Sequence, residues 1–489
     1  MGRGPALMKF SLGACSPIRG ILAVSRGRLH PVDSLQLPKG ATGMSFLSSS
    51  RRRVSSLPIL LILGFSWALG PPTVAAAGQI PDDDRIAAAT QRVLAQITDV
   101  RHQIHQHPEL GNRETQTAAL VAEHLRELGM EVKTDIAYTG VVGILQGSLP
   151  GPVISVRADM DGLPVTEDTG YAFASTDHTT YLGQEVGVMH ACGHDIHTAV
   201  QLGVASVLAS FRDDLPGTVQ FIFQPAEEGP PPGEKGGAEL MLEEGLFRDL
   251  RPEAVFGLHT FAEMEVGKVG YTVGPAFAAV DHFRARILGR QSHAAQPQQS
   301  VDPVVMAAQV VMALQTIRSR NLHPLEPSVI TVGIVRGGER FNIIPAEVLL
   351  EGTVRTYDPE VRDTVERRMN EILGGITLAG GGSYEMDYQR GSPATINDVA
   401  LSRWAVPVMT RVVGPGNITE LPPTMGGEDF ALFANEVPGF YYRLGMVRPG
   451  TASGGHHTPT FKADDGSLEV GIRVMSTILV DYLASGGPQ

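Results

Sequence analysis

The chain has 489 residues, with 39 Lys+Arg against 52 Asp+Glu, 43% hydrophobic residues, two cysteines and a formal net charge of -13. That hydrophobic content excludes a disordered chain, two cysteines exclude a disulfide scaffold, and the acid excess excludes nucleic-acid binding through bulk charge. At roughly 100–200 residues per domain, the length predicts more than one domain.

Residues 1–77 hold nine basic residues and one acid, Asp33. Arg51-Arg52-Arg53, the apolar run from Leu57 to Leu69 and Ala75-Ala76-Ala77 have the basic, apolar and small-residue layout of a secretory signal peptide. The run is shorter than the about 20 residues of a membrane span, and Pro58 breaks it, so no stable span is expected. This layout predicts translation from Met44, cleavage near Ala77 and a periplasmic or secreted protein. An organelle transit peptide is the alternative, because residues 1–56 are rich in Arg and Ser. Without residues 1–77 the chain keeps 30 basic and 51 acidic residues, and Cys192 is its one cysteine.

Asp82-Asp83-Asp84 offers helix caps, and Ile86, Val93, Leu94, Ile97, Val100 and Ile104 follow at helical spacing. A second helix is predicted from Thr115 to Leu128, stopping at Gly129. Short apolar runs then read as strands: Val141–Leu145, Val153–Val156, Val219–Phe223 and Ala254–Leu258, with a helix from Thr198 to Phe211 among them. Strands alternating with helices predict an α/β domain with a mostly parallel sheet.

The pattern changes near Gly274. Phe283–Leu288, Pro303–Ser319, Val329–Val335, Val348–Thr353, Pro359–Leu373 and Tyr384–Tyr388 read as β-α-β-β-α-β, the ferredoxin-like order. The expected organisation is a targeting segment over residues 1–77, a catalytic domain over 78–275 and 390–489, and a satellite domain inserted over 276–389.

Three predicted strands run into polar residues: Asp159-Met160-Asp161, Gln224-Pro225-Ala226-Glu227-Glu228 and His259. Ligands of open α/β sheets bind at the carboxyl ends of strands. Between the first two lies Met189-His190-Ala191-Cys192-Gly193-His194-Asp195, and His456-His457-Thr458-Pro459 follows near the C-terminus. Cys, His and carboxylate together suit zinc, manganese, cobalt or nickel. Each pattern alone is weak, since a lone Cys is commonly a small buried hydrophobe and a Glu pair a solvated face. Their joint occurrence at strand ends is not.

These blocks, with His107-Pro108-Glu109-Leu110, Arg157 to Pro164, Ser292-His293-Ala294-Ala295-Gln296-Pro297, Asn342-Ile343-Ile344-Pro345 and Gly427-Glu428-Asp429-Phe430, resemble the metal-dependent amidohydrolases. That family includes hippurate hydrolase, N-acyl-amino-acid amidohydrolases and auxin-conjugate hydrolases. The resemblance runs from about Asp83 to Leu483. It implies a catalytic domain holding two divalent ions (Zn, Mn, Co or Ni), with Cys192 bridging them and His194, Glu228, His259 and His457 completing the ligand set. It implies Glu227 as general base and proton carrier, and Asp161 as a residue orienting the ligands from behind. His293 would stabilise the developing oxyanion, and Asn342 would contact substrate once the satellite domain closes. The family's satellite block often ends Pro-His, where this chain has Pro297-Gln298.

The expected activity is hydrolysis of the amide of N-acyl amino acids, aromatic acyl groups included. A dipeptidase acting on short peptides and an inactive binding protein on the same scaffold are the competing readings. A homodimer or higher homo-oligomer is the oligomeric state that the resemblance implies.

Overall fold

The computed structural model describes residues 79–488. The targeting segment expected over residues 1–77 lies outside the described residues. Asp82 caps the first helix, Asp83–Gln106, by accepting the backbone N–H of Arg85. A second helix, Thr115–Glu127, follows.

The described residues form an eight-stranded mixed sheet. From one edge the order is Glu131–Ile136, Gly140–Gln146, Pro216–Gln224, Leu149–Asp159, Ala254–Glu265, Gly439–Val447, Val269–Tyr271 and Ile418–Glu420. The four central strands, Pro216–Gln224 to Gly439–Val447, are mutually parallel, so their carboxyl ends share one edge. The first two strands join antiparallel.

Side chains along these strands alternate between two cores, as the strand period of two requires. Val219, Phe221, Phe223, Ala254, Phe256 and Phe440 pack with the helices Asp83–Gln106, Thr115–Glu127, His194–Ala209, Val399–Val413 and Gly466–Ser485. Ile222, Val255 and Tyr441 face the opposite way, against Gly237–Glu243 and Phe430–Glu436. The helix His194–Ala209 is sandwiched so deeply that His194 through Leu208 are all buried. It begins four residues before the expected Thr198, because Gly193 turns the chain directly into it.

A separate four-stranded antiparallel sheet runs in the order Ser328–Arg336, Glu347–Thr356, Ala279–Leu288, Ser383–Arg390. In chain order this is second, third, first, fourth, the ferredoxin-like arrangement. Its helices Pro303–Thr316 and Pro359–Ala379 each start with proline behind a capping aspartate, Asp302 and Asp358. Phe283, Ala285 and Ile287 meet Val310, Leu314, Val365 and Met369 in its core. Gly352 lies opposite Phe283, where a Cβ would stand 2.0 Å from the Thr331 carbonyl oxygen, so only glycine fits there. The short paired strands Gly274–Phe277 and Thr395–Asn397 mark where the chain leaves and rejoins the larger sheet. Among the described residues, no helix is long and apolar enough to cross a membrane.

Candidate metal centre

The central parallel strands deliver the predicted residues to one edge. Leu149–Asp159 ends two residues before Asp161, and Pro216–Gln224 ends three before Glu227. His259 does not end its strand, which runs on to Glu265 paired with Gly439–Val447. Pairing with Leu149–Asp159 stops at Gly257, and this opens the crevice beside His259.

Left-handed backbone flanks the site. Gly193 has φ +95°, and a Cβ there would stand 2.3 Å from Thr260 Oγ1, so glycine alone lets Cys192 and His194 sit either side of the turn. Ala226 and His457 also have positive φ, 50° and 63°. Such strain in non-glycine residues persists where the surroundings enforce it. The carboxylate of Glu114 accepts the Ala226 N–H at 2.8 Å, and Ala191 accepts the His457 N–H at 2.8 Å.

All five predicted ligands converge. Cys192, His194 and His259 offer donor atoms within 4.8 Å of one another, and so do Cys192, Glu228 and His457. Cys192 belongs to both groups. His259 Nδ1–H donates to the Thr260 carbonyl at 2.6 Å, so its bare Nε2 faces Cys192 Sγ at 3.5 Å. His194 Nδ1–H donates to Asp161 at 3.1 Å, and its Nε2 lies 3.8 Å from Glu227 and 4.0 Å from Glu228. His194 Nε2 is buried without a hydrogen-bond partner among the described residues, and buried Glu228 Oε1 faces only His457 Nε2, at 3.0 Å. Buried polar atoms of this kind are costly to leave unsatisfied, and a cation satisfies both. The donor set therefore fits a pair of divalent ions.

Burial pushes the Cys192 thiol well up, and the Glu228 and Glu227 carboxylates push it further. Burial opposes charge on His194, yet Asp159 and Asp161 lift it to about 10. Both groups must release protons to bind metal. Glu227 is raised well above the carboxylate range by burial, then by Glu428 and Glu228, which suits a group that takes up a proton.

Several residues of this site carry no sequence-level role. Arg157 is fully buried and bonds Gln224, Asp159 and Asp429 at 2.7–2.9 Å and Glu428 at 3.1 Å. His197 donates to Asp159 at 2.6 Å and accepts the Thr260 N–H at 2.8 Å, which spends both ring nitrogens. His456 Nε2 accepts the Ala262 N–H, leaving its Nδ1–H to point at Cys192 Sγ, 3.6 Å away. Strand-end position flags Asp159, and the Gly-Glu-Asp-Phe block flags Glu428 and Asp429. Nothing local separates His456 from its neighbour His457.

Cys192, Glu228, His259 and His457 line a cavity of about 580 Å³ that is also bordered by Glu227, Phe261, Phe277, Arg355, Arg443 and His456. His293 and Asn342 do not line it. His293 sits on a two-residue strand paired with Ile343–Ile344, next to Asn342, and is exposed.

An α/β sheet with Cys, His and carboxylate donors at its carboxyl edge, joined to a separate antiparallel domain, defines a metal-dependent hydrolase. The chain belongs to the peptidase family M20/M25/M40, whose model matches residues 155–481. It is 37% identical over 379 residues to the N-acetyl-L-cysteine deacetylase of Bacillus subtilis, covering 76% of this chain and 85% of that one. It is 41% identical over 314 residues to the N-acyl-L-amino acid amidohydrolase of Geobacillus stearothermophilus, covering 64% and 81%. The Bacillus subtilis YXEP protein, described as a dinuclear metal binding peptidase from the M20 family, superimposes with a TM-score of 0.69 at 33% identity, covering 81% of this chain and 99% of that one. The protein is a metallo-amidohydrolase.

Proposed function

We propose that this protein hydrolyses N-acyl amino acids, aromatic acyl groups included, to a carboxylate and a free amino acid. The observation that carries this reading is Cys192 shared between two donor groups, with Glu227 beside both. The relatives named for N-acyl amino acids and N-acetyl-L-cysteine support the substrate class. Cys192, His194 and His259 would hold one ion, and Cys192, Glu228 and His457 the other. When bound, two such ions polarise a carbonyl and make water a competent nucleophile at neutral pH.

The chain's own residues do the rest. Glu227 takes a proton from the attacking water, whose oxygen bonds to the carbonyl carbon. As the C–N bond breaks, Glu227 returns that proton to the leaving nitrogen. Asp161 fixes the ring of His194, and Arg157 beneath it holds Asp159, Glu428 and Asp429 in place. The substrate roles proposed for His293 and Asn342 require a movement that brings the Ser292–His293 strand to the cavity.

The test is a metal-reconstituted screen of N-acetyl and N-benzoyl amino acids against dipeptides. Faster turnover of the acyl amino acids is expected. Preference for dipeptides would make the protein a peptidase, and no hydrolysis at full metal occupancy would make it a binding protein. Export is a further part of the proposal, and N-terminal sequencing of the mature protein tests it: an end well upstream of Gly78 contradicts cleavage near Ala77.

A further inference from the structure

Glu227 follows Ala226, whose backbone is left-handed at φ +50°. An alanine leaves that region unless its surroundings enforce it. The strand Pro216–Gln224 has already ended, so no sheet ladder holds the Ala226 peptide. Its N–H goes instead to a side chain, Glu114 Oε1, at 2.8 Å. Two residues on, Asp161 accepts the Glu228 N–H at 2.9 Å. Glu227 is therefore strung between two peptides, each pinned by a buried carboxyl group from another segment.

The surroundings of Glu114 fit this one task. It occupies the N-cap position of Thr115–Glu127, where an acidic side chain ordinarily caps its own helix. Here it does not: Glu109 accepts the N–H groups of Gln116 and Thr117, at 2.9 and 3.0 Å, from outside the helix. That frees Glu114 to reach inward. It is fully buried, and its second oxygen takes the Thr139 hydroxyl at 2.5 Å. Thr139 precedes the strand Gly140–Gln146, which pairs with Pro216–Gln224, the strand that leads into Ala226. Among the described residues no basic side chain bonds Glu114, and the neighbouring Arg113 pairs with Glu234. A buried carboxyl group without a counter-charge is expensive, and a fold that needed only packing would place an apolar residue there. The same segment presses on the loop at Gly111, where a Cβ would stand 2.8 Å from the Gly229 carbonyl oxygen and 3.0 Å from Ala226 Cβ.

We propose that Glu114 is a positioning residue for the general base: it holds Ala226 left-handed and, through that peptide, aims Glu227. This rests on the reading of Glu227 as the proton carrier of an amidohydrolase and extends it. Glu114 does not line the metal cavity. It acts through one backbone N–H, and a misplacement of the base by about 1 Å is worth on the order of 100-fold in rate.

The experiment uses the full metal-loaded chain as wild type, E114Q, E114L, A226G and E114L/A226G, with the fastest acyl amino acid of the screen above. E114L keeps the volume and removes the acceptor. It should lower kcat by on the order of 10- to 100-fold, with KM and metal content unchanged. E114Q should keep most of kcat, because its carbonyl oxygen still accepts the Ala226 N–H and its amide can donate to Thr139. Glycine takes the left-handed region at no steric cost, so A226G alone should stay near wild type. In the E114L background it should regain on the order of 10-fold, the worth of a left-handed alanine's strain. An unchanged kcat in E114L, a loss as large in E114Q, a loss that A226G leaves in full, or a loss that comes with metal release overturns the proposal. Should E114L not fold, T139V removes the hydroxyl that fixes the second oxygen, and kcat, metal content and rescue by A226G decide in the same way. Should wild type hydrolyse nothing with metal bound, the amidohydrolase reading fails. Hydrogen exchange over residues 225–229 then decides on Glu114: faster exchange in E114L but not in E114Q sustains the clamp, and equal exchange in all three overturns it.

Discussion

Asp161 ties His194 to the Glu pair: one carboxylate oxygen lies 3.1 Å from His194 Nδ1, and the other accepts the Glu228 N–H at 2.9 Å. One side chain thus fixes the tautomer of one ligand and the backbone of another. Asp161→Asn keeps the shape but loses the charge and an acceptor. Metal affinity should fall by about 10- to 100-fold, the usual effect of removing such a supporting carboxylate. Competition with a chelator of known affinity measures it, and unchanged affinity would assign Asp161 to turn formation alone.

Glu227 and Glu228 are adjacent but face different tasks. Glu228 meets His457 at 3.0 Å, while Glu227 is surrounded by Glu428, Asp429 and Glu228. Glu227→Gln should retain metal and lower kcat by about 10²- to 10⁴-fold, the span of a lost general base. Elemental analysis beside steady-state kinetics checks both halves. Turnover near wild type would remove Glu227 from the proton path.

Arg101, Asp195 and His105 form a buried cluster behind the helix His194–Ala209. Arg101 Nε and His105 Nδ1 each lie 2.8 Å from the same Asp195 oxygen. Arg101→Ala leaves a buried carboxylate short of its main partner and should cost about 3–5 kcal/mol. Urea unfolding of the metal-free protein reads this directly.

The same cluster sets a pH dependence. Burial alone would raise Asp195, but Arg101 and His105 hold it well below the carboxylate range. Its stabilisation is present above the unfolded value, about 4, and is lost as pH falls through the lower folded value. Burial opposes charge on His105, but Asp195 and Glu167 raise it. Its contribution is full below the unfolded value, about 6.5, and is lost as pH rises through the higher folded value. Stability from this cluster should therefore be flat between about pH 4 and about pH 6.5 and decline on either side. Urea midpoints across pH test this, and His105→Gln should remove the cluster's decline on the alkaline side.

The sequence carried the parts of this architecture that obey simple periods. The ferredoxin-like order was legible because Phe283–Leu288 alternates and because proline behind aspartate opens both helices. The ligand cluster was legible because Cys192 and His194 share one distinctive block, Glu228 and His259 follow predicted strands, and His457 stands in a His-His-Thr-Pro block near the C-terminus. His259 was found in the right crevice although its strand continues to Glu265, since pairing with a distant neighbour, not local composition, sets strand length. The buried network of Arg157 escaped notice because its partners come from three separate segments.

The two donor groups predict a two-ion site that depends on Cys192, the residue they share. The most direct measurement is the metal-to-protein ratio of the purified chain and of Cys192→Ala after equilibration with zinc or manganese and removal of free ion. Two ions per wild-type chain are expected, with loss of both sites' tight binding in the variant. Two tightly held ions in Cys192→Ala, or none in the folded wild type, would contradict it.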